Sequence, residues 1–387
     1  MAVPMLDLKK QHSLLREQIR AEIDKVLDSQ MLVRPAAGKT SPQQAALEGS
    51  LREYCGAAEA ICCSSGTDAL LVALMAMGIG LGDEVICPSF TFFATAGAVA
   101  RLGAKPVFVD IDERTFNISP KAIENAISDR TRAIIPVHLY GQMADMAAIM
   151  AIADKRRISV LEDAAQAIGA KQNDRPAGSF GKAGALSFYP TKNLNALGDA
   201  GAVVTTDAEF GQLVRLLCVH GDAGGYNHVR LGANFRMDEI QAAALNVKFP
   251  HLEEWHAARR AHAAIYDKEL AGLDGVVTPL VAPGQQSIYN QYVIRAQRRT
   301  ELIEHLRDRD IGSAVYYPKG LHEQPCFAYL GYRRGDLPVT ELACREVLAL
   351  PVCPEISDLQ VMEVAQAVKG FYQPAKSASA QRYPRAR

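Results

Sequence analysis

Three short stretches of this 387-residue chain carry residue types that could do chemistry together. The first is SFYPTKNLNALGDAGAVV, residues 187–204, where a single cation, Lys192, follows an apolar, aromatic run and is surrounded by Gly, Ala and Asn. A nucleophilic lysine needs an uncharged amine, yet the ordinary lysine pKa is ~10.4. Apolar surroundings can lower it by up to about 3–5 units, or the amine can be held as an imine to a carbonyl compound. The competing reading is a solvated loop lysine, which the absence of neighbouring charge weakens.

The second stretch, Ser64-Ser65-Gly66-Thr67-Asp68, follows an apolar run and opens a helical pattern. Glycine lets the backbone approach a ligand, and a helix start offers free N–H donors and a positive dipole end, which suits a phosphate. A Ser/Thr cap beside a turn glycine has the same appearance. The third stretch, Glu162-Asp163-Ala164-Ala165-Gln166, places carboxylates after another apolar run. Such a carboxylate could hold a protonated ring nitrogen or could cap the next segment. Pyridoxal phosphate (PLP) needs all three features: it has a phosphate, a ring nitrogen kept protonated as electron sink, and an aldehyde that joins a lysine. No single stretch establishes it. The set, in this order on one scaffold, does.

The elements that must position these residues are legible as a rhythm. Apolar β-type runs at 60–63, 84–87, 106–110, 133–138, 158–162, 185–189 and 202–206 alternate with helical patterns at 67–77, 92–101, 119–127 and 145–156. Short, nearly all-apolar strands separated by helices predict a parallel sheet covered on both faces, with ligands at the carboxyl ends of its strands. An amphipathic helix is expected over 8–28, a loop over 31–45, and one long helix over 237–270 that kinks or breaks at Pro250. A smaller α/β lobe follows, with strands at 289–295 and 313–317 and helices at 299–309 and 339–348. Residues 1–250 are therefore expected to form an N-terminal helix and large domain, 251–372 a small C-terminal domain, and 373–387 a disordered polar tail.

The motifs SSGTDAL, PSFTFFAT, GAKPVFVDID, AIIPVHLYGQ, VLEDAAQAIGA, SFYPTKNLNALGDAGAVV, GANFRMDEIQAA, YNQYVIR and VYYPKGLHEQP together resemble the DegT/StrS family of nucleotide-sugar aminotransferases over about residues 5–372. The resemblance implies a fold-type-I PLP transferase: α/β, a large domain with a mostly parallel central sheet, and a smaller α/β domain. It implies that Lys192 forms the internal aldimine and moves the proton, that Asp163 pairs with the pyridine nitrogen, and that Gln166 contacts the ring's hydroxyl side. Gly66, Thr67 and Ser187 would hold the phosphate, and Phe92 would stack on the ring. Asn234 would reach the phosphate from a neighbouring subunit, so a homodimer with shared active sites is expected. L-glutamate would donate the amino group to a nucleotide-linked keto-sugar, with Tyr316, Tyr317, Lys319 and His322 as candidate sugar contacts; loop packing is the other reading of those four. His138 and His220 are expected to be structural. Two departures bear on substrate preference. The segment at 30–44 is longer than the family's compact turn, and Gly320 stands where many relatives have proline, which would loosen a sugar-contacting loop.

Other classes fit poorly. The charge balance, 42 basic against 43 acidic residues, favours neither nucleic acid nor a membrane surface. The eight cysteines show no metal-type spacing, so no metal site is expected. The longest apolar stretch, 69–79, is too short to span a bilayer, and a cytoplasmic protein is expected. GIGLGDE, residues 78–84, ends a helix and so does not read as a nicotinamide fingerprint. A regulatory PLP-binding relative without turnover, or another PLP-dependent sugar reaction, remains the alternative. Sugar dehydratases of the family replace the lysine with histidine, and Lys192 argues against that branch.

Overall fold

The computed structural model describes residues 2–34 and 41–373. In chain order these form α1 (Leu8–Ser29), α2 (Pro42–Cys55), β1 (Glu59–Cys63), α3 (Gly66–Ala76), β2 (Glu84–Pro88), α4 (Ala94–Arg101), β3 (Lys105–Val109), α5 (Pro120–Ala126), β4 (Thr131–Ile134), α6 (Met146–Arg156) and β5 (Ser159–Asp163). A small hairpin, β6 (Lys171–Gln172) and β7 (Arg175–Pro176), precedes β8 (Ala183–Ser187), β9 (Gly201–Thr205) and α7 (Ala208–Leu217). The remainder is α8 (Glu239–Lys248), α9 (Leu252–Leu270), β10 (Val276–Val277), β11 (Gln285–Gln286), β12 (Tyr292–Ala296), α10 (Arg299–Arg307), α11 (Pro338–Glu346), β13 (Val347–Leu350) and α12 (Asp358–Tyr372).

The central sheet has seven strands in the order β1-β9-β8-β5-β4-β2-β3. Its strands are apolar on both faces because both faces are covered. Ala60 and Cys62 of β1 join one core cluster while Ile61 and Cys63 join the other, the period of two that a pleated strand imposes. Every pairing is parallel except those of β9, which runs antiparallel to both β1 and β8. The expected mostly parallel central sheet is what forms, with β9 as its reversed strand. Thirteen residues join β8 to β9, and no helix lies among them to carry the usual parallel crossover.

A second, three-stranded antiparallel sheet, β10-β12-β13, packs with α9, α10 and α12 around its own core. Val3 belongs to that core: its N–H donates to Asp310 O at 2.9 Å, and its carbonyl accepts from Gly312 N at 2.8 Å. The expected long helix breaks at Pro250, where a 3-10 turn (Phe249–His251) separates α8 from α9. Three local expectations differ from the structure. The loop foreseen to residue 45 already becomes helical at Pro42, where proline suits the first helical turn. Residues 313–317 make a single bridge, Ala314 to Ala349, instead of a strand. The strand foreseen over 185–189 ends at Ser187. The tail foreseen from residue 373 lies, apart from Gln373, outside the described residues, as do residues 35–40 of the loop. Among the described residues no helix is long and apolar enough to cross a membrane, and no group of His, Cys, Asp or Glu could hold a metal ion.

Candidate active site

The carboxyl ends of β1, β5 and β8 lie on one edge of the sheet, and each delivers one of the stretches singled out above. Asp163 closes β5 and is buried. Its Oδ2 accepts a 2.7 Å hydrogen bond from Thr95 Oγ1, and its Oδ1 a 3.3 Å bond from the Ala165 N–H. Burial raises its pKa, opposed by those bonds and by the charge of Lys192. Lys192, half-buried in the turn after β8, has its amine brought down to about 8 by burial, with the Asp163 carboxylate acting against that shift. The two groups therefore hold each other's charge in a site that by itself disfavours both.

At the start of α3, Ser65 caps the helix by accepting from Asp68 N at 3.1 Å, and Ser64 Oγ ties the Asp68 carboxylate at 2.7 Å. The first-turn N–H groups of Gly66 and Thr67 have no carbonyl of their own helix to bond. Three backbones converge there. A Cβ on Gly66 would stand 2.6 Å from Ser187 Cβ, and one on Gly201 would stand 2.4 Å from the Ser65 carbonyl carbon. Ser187 Oγ accepts from Tyr189 N at 3.4 Å and keeps its own proton to donate. Two backbone N–H groups at a helix start and one hydroxyl, in a cradle only glycine permits, are the donor set a phosphate requires. Asp163 and Lys192 supply the partners for a ring nitrogen and an aldehyde, so the residues fit PLP.

Gln166 is positioned but engaged: Tyr140 N donates to its Oε1 at 2.7 Å, and its Nε2 donates to Tyr317 Oη at 3.1 Å. Phe92, in the loop after β2, is 59 % exposed, with its ring centroid 6.4 Å from that of Tyr317, so it keeps an open face. Tyr316 accepts at its backbone oxygen from Tyr140 Oη, and Lys319 is exposed on the same segment. Asn234 stands apart from this hydrogen-bonded cluster; its Oδ1 accepts from Arg236 Nε at 2.9 Å.

His322 is fully enclosed, with Nδ1 2.7 Å from Ser89 Oγ and Nε2 3.4 Å from Glu341 Oε1. It packs beneath the segment instead of facing a substrate. The loosening expected at Gly320 is likewise not found: the residue is buried, and a Cβ there would come within 2.7 Å of His322 Nδ1. His138 is structural, buried with Nε2 2.9 Å from Glu162 Oε2. Sequence reasoning passed over Thr95, Tyr140 and Ser89. Thr95 had a signal, a second hydroxyl one helical turn after Thr91, whose Oγ1 lies 3.2 Å away.

The sequence profile of the DegT/DnrJ/EryC1/StrS aminotransferase family matches residues 14–369. Among similar curated proteins, a "pleiotropic regulatory protein" of Geobacillus stearothermophilus is 50 % identical over 96 % of this chain and 99 % of its own. A UDP-N-acetyl-3-dehydro-alpha-D-glucosamine 3-aminotransferase of Acidithiobacillus ferrooxidans is 44 % identical over 95 % of this chain and 97 % of its own. Among solved structures, S. venezuelae DesV, in complex with a ketimine intermediate, superposes with a TM-score of 0.92 at 41 % identity, covering 96 % of this chain and 99 % of that one. NtdA of Bacillus subtilis, with bound cofactor PMP, gives a TM-score of 0.86 at 31 % identity, covering 95 % of this chain and 85 % of that one.

Proposed function

The chain belongs to the DegT/DnrJ/EryC1/StrS aminotransferase family, and on that basis we propose that it moves an amino group from L-glutamate to the keto group of a nucleoside-diphosphate sugar, using PLP. The observation that carries this reading is the pairing of the Lys192 amine, brought down to about 8, with the buried Asp163 carboxylate at one sheet edge.

When bound, PLP supplies an aldehyde for the amines to join and a ring that accepts the electron pair released when a Cα proton leaves. The chain supplies the rest. Asp163, fixed by Thr95, would keep a proton on the ring nitrogen through its own charge. Lys192 takes the Cα proton and returns it, which its lowered pKa allows near neutral pH. Gly66, Thr67 and Ser187 would hold the phosphate, Phe92 would stack on the ring, and Gln166 would contact the ring's hydroxyl side. Tyr316, Tyr317 and Lys319 would contact the sugar.

The working unit is proposed to be a homodimer in which Asn234 serves the partner's phosphate site. Tyr226 and Leu231, both 93 % exposed, and the half-exposed Tyr189 offer apolar surface for that contact. The eight free cysteines suit a reducing cytoplasm. The regulatory name of one relative keeps a second reading in view, and the complete Lys192–Asp163 pair favours the enzyme. Purified protein should show a visible band that disappears with L-glutamate and returns on adding a keto-sugar nucleotide, while Lys192→Ala shows neither. A PLP-loaded protein that leaves glutamate untouched with every keto-sugar nucleotide tried would establish the regulatory reading instead.

A further inference from the structure

Lys248, the last residue of α8, is a fully buried cation outside the site just described. Buried ammonium groups are ordinarily paired with carboxylates. Here the three donors of Nζ go instead to Asn195 O at 2.9 Å, Asn195 Oδ1 at 2.5 Å and His12 Nε2 at 3.1 Å. Burial brings this amine down to about 8. Burial and the Lys248 charge hold the His12 pKa below its ordinary value, opposed by a hydrogen bond with Asn195.

Asn195 passes the tie onward. It is itself buried, and its Nδ2 donates to the backbone oxygen of Lys192 at 3.3 Å and to Gln11 Oε1 at 3.0 Å. Gln241, also on α8, accepts from Leu197 N at 2.8 Å, and Asn193 is fixed between Ile288 O and Asn290. Leu194 and Ala196 seat this turn in the core, and its carbonyls and amides fix the course of the main chain between them. One lysine on a rigid helix satisfies two acceptors of a single asparagine, and that asparagine holds the main chain of Lys192.

We propose that Lys248, acting through Asn195, is a positioning residue that sets where the Lys192 amine stands relative to Asp163. This rests on the aminotransferase reading above. The test uses the full-length, PLP-loaded protein and three measurements: the single-turnover rate with saturating L-glutamate, the glutamate concentration at half-saturation, and the pH midpoint of the visible band. Melting temperature is recorded alongside. Lys248→Met should lower the saturating rate by about tenfold or more, leave half-saturation within about twofold, and shift the band's midpoint. Asn195→Asp keeps a partner for Lys248 but loses the donor to Lys192; it should slow the reaction similarly without lowering the melting temperature.

Wild-type rate and band midpoint in Asn195→Asp would overturn the proposal, whatever Lys248→Met does to stability. If wild-type protein carries the visible band but does not turn over glutamate, the aminotransferase reading fails by itself, and the midpoint shift still decides the role of Lys248.

Discussion

At the scale of single residues, the chemistry depends on how two opposite charges share one dry site. Burial pushes Lys192 down and Asp163 up, and each charge partly restores the other. The sign of the pH dependence follows. In PLP-free protein the neutral amine of Lys192 grows as pH rises through about 8, so the rate at which added PLP develops its visible band should climb across that pH and then level off. Asp163→Asn removes the charge that favours the protonated amine, so the same rise should move to lower pH; stopped-flow absorbance checks both. Thr95→Val deletes the 2.7 Å bond to the carboxylate, a charge-assisted contact worth about 1.5–3 kcal/mol. It should reduce turnover about tenfold or more, with little change in folding, as read by steady-state kinetics and calorimetry. Lys192 and Asp163 were legible in the sequence because each directly follows an apolar run. Thr95 was not, since what it serves lies 68 positions away in the chain. The surroundings of His322 were hidden for the same kind of reason: residue type suggests a ligand contact, and only packing shows Ser89 and Glu341 closing around it.

At the scale of elements, the phosphate cradle exists because β1, β8 and β9 meet at one edge with α3 springing from it. The reversed β9 brings Gly201 opposite both Ser187 and Cys63, so that its backbone lies against Ser65. Gly66→Ala would set a methyl group 2.6 Å from Ser187 Cβ, and the strand end or the helix start must move. Affinity for PLP should fall by about tenfold or more while the visible band, once formed at high PLP, stays in place; equilibrium titration distinguishes this from damage to Lys192. Strands and helices of the large sheet were readable because their apolar periodicity reports burial directly. The reversal of β9 was not, because an apolar run has the same composition whichever way it points. The stretch at 313–317 misled for the opposite reason. Its valine and tyrosines pack as a half-buried connection, with Tyr317 edge-on to Phe90 at 6.0 Å, and only Ala314 makes a single bridge.

At the scale of the whole molecule, the near-neutral charge leaves association to apolar surface and shape. Leu231→Asp, placed where a side chain is 93 % exposed, should be harmless to the fold of one chain. If the proposed dimer uses that loop, the variant should sediment as a smaller species and lose turnover together with its partner's Asn234. An unchanged sedimentation coefficient would remove the loop from the interface. No periodicity in the chain marks such a surface, since a residue that a second copy covers looks, in one sequence, like any exposed apolar side chain. The seating of Val3 has its own consequence. It lies in the same core as Ile311, beside which its backbone bonds are made. During synthesis, at about 5–20 residues per second, this early segment must wait on the order of 15–60 s for its partner to emerge. Until then Val3 has no core to enter, so a ribosome pause in that interval would leave this apolar side chain in water.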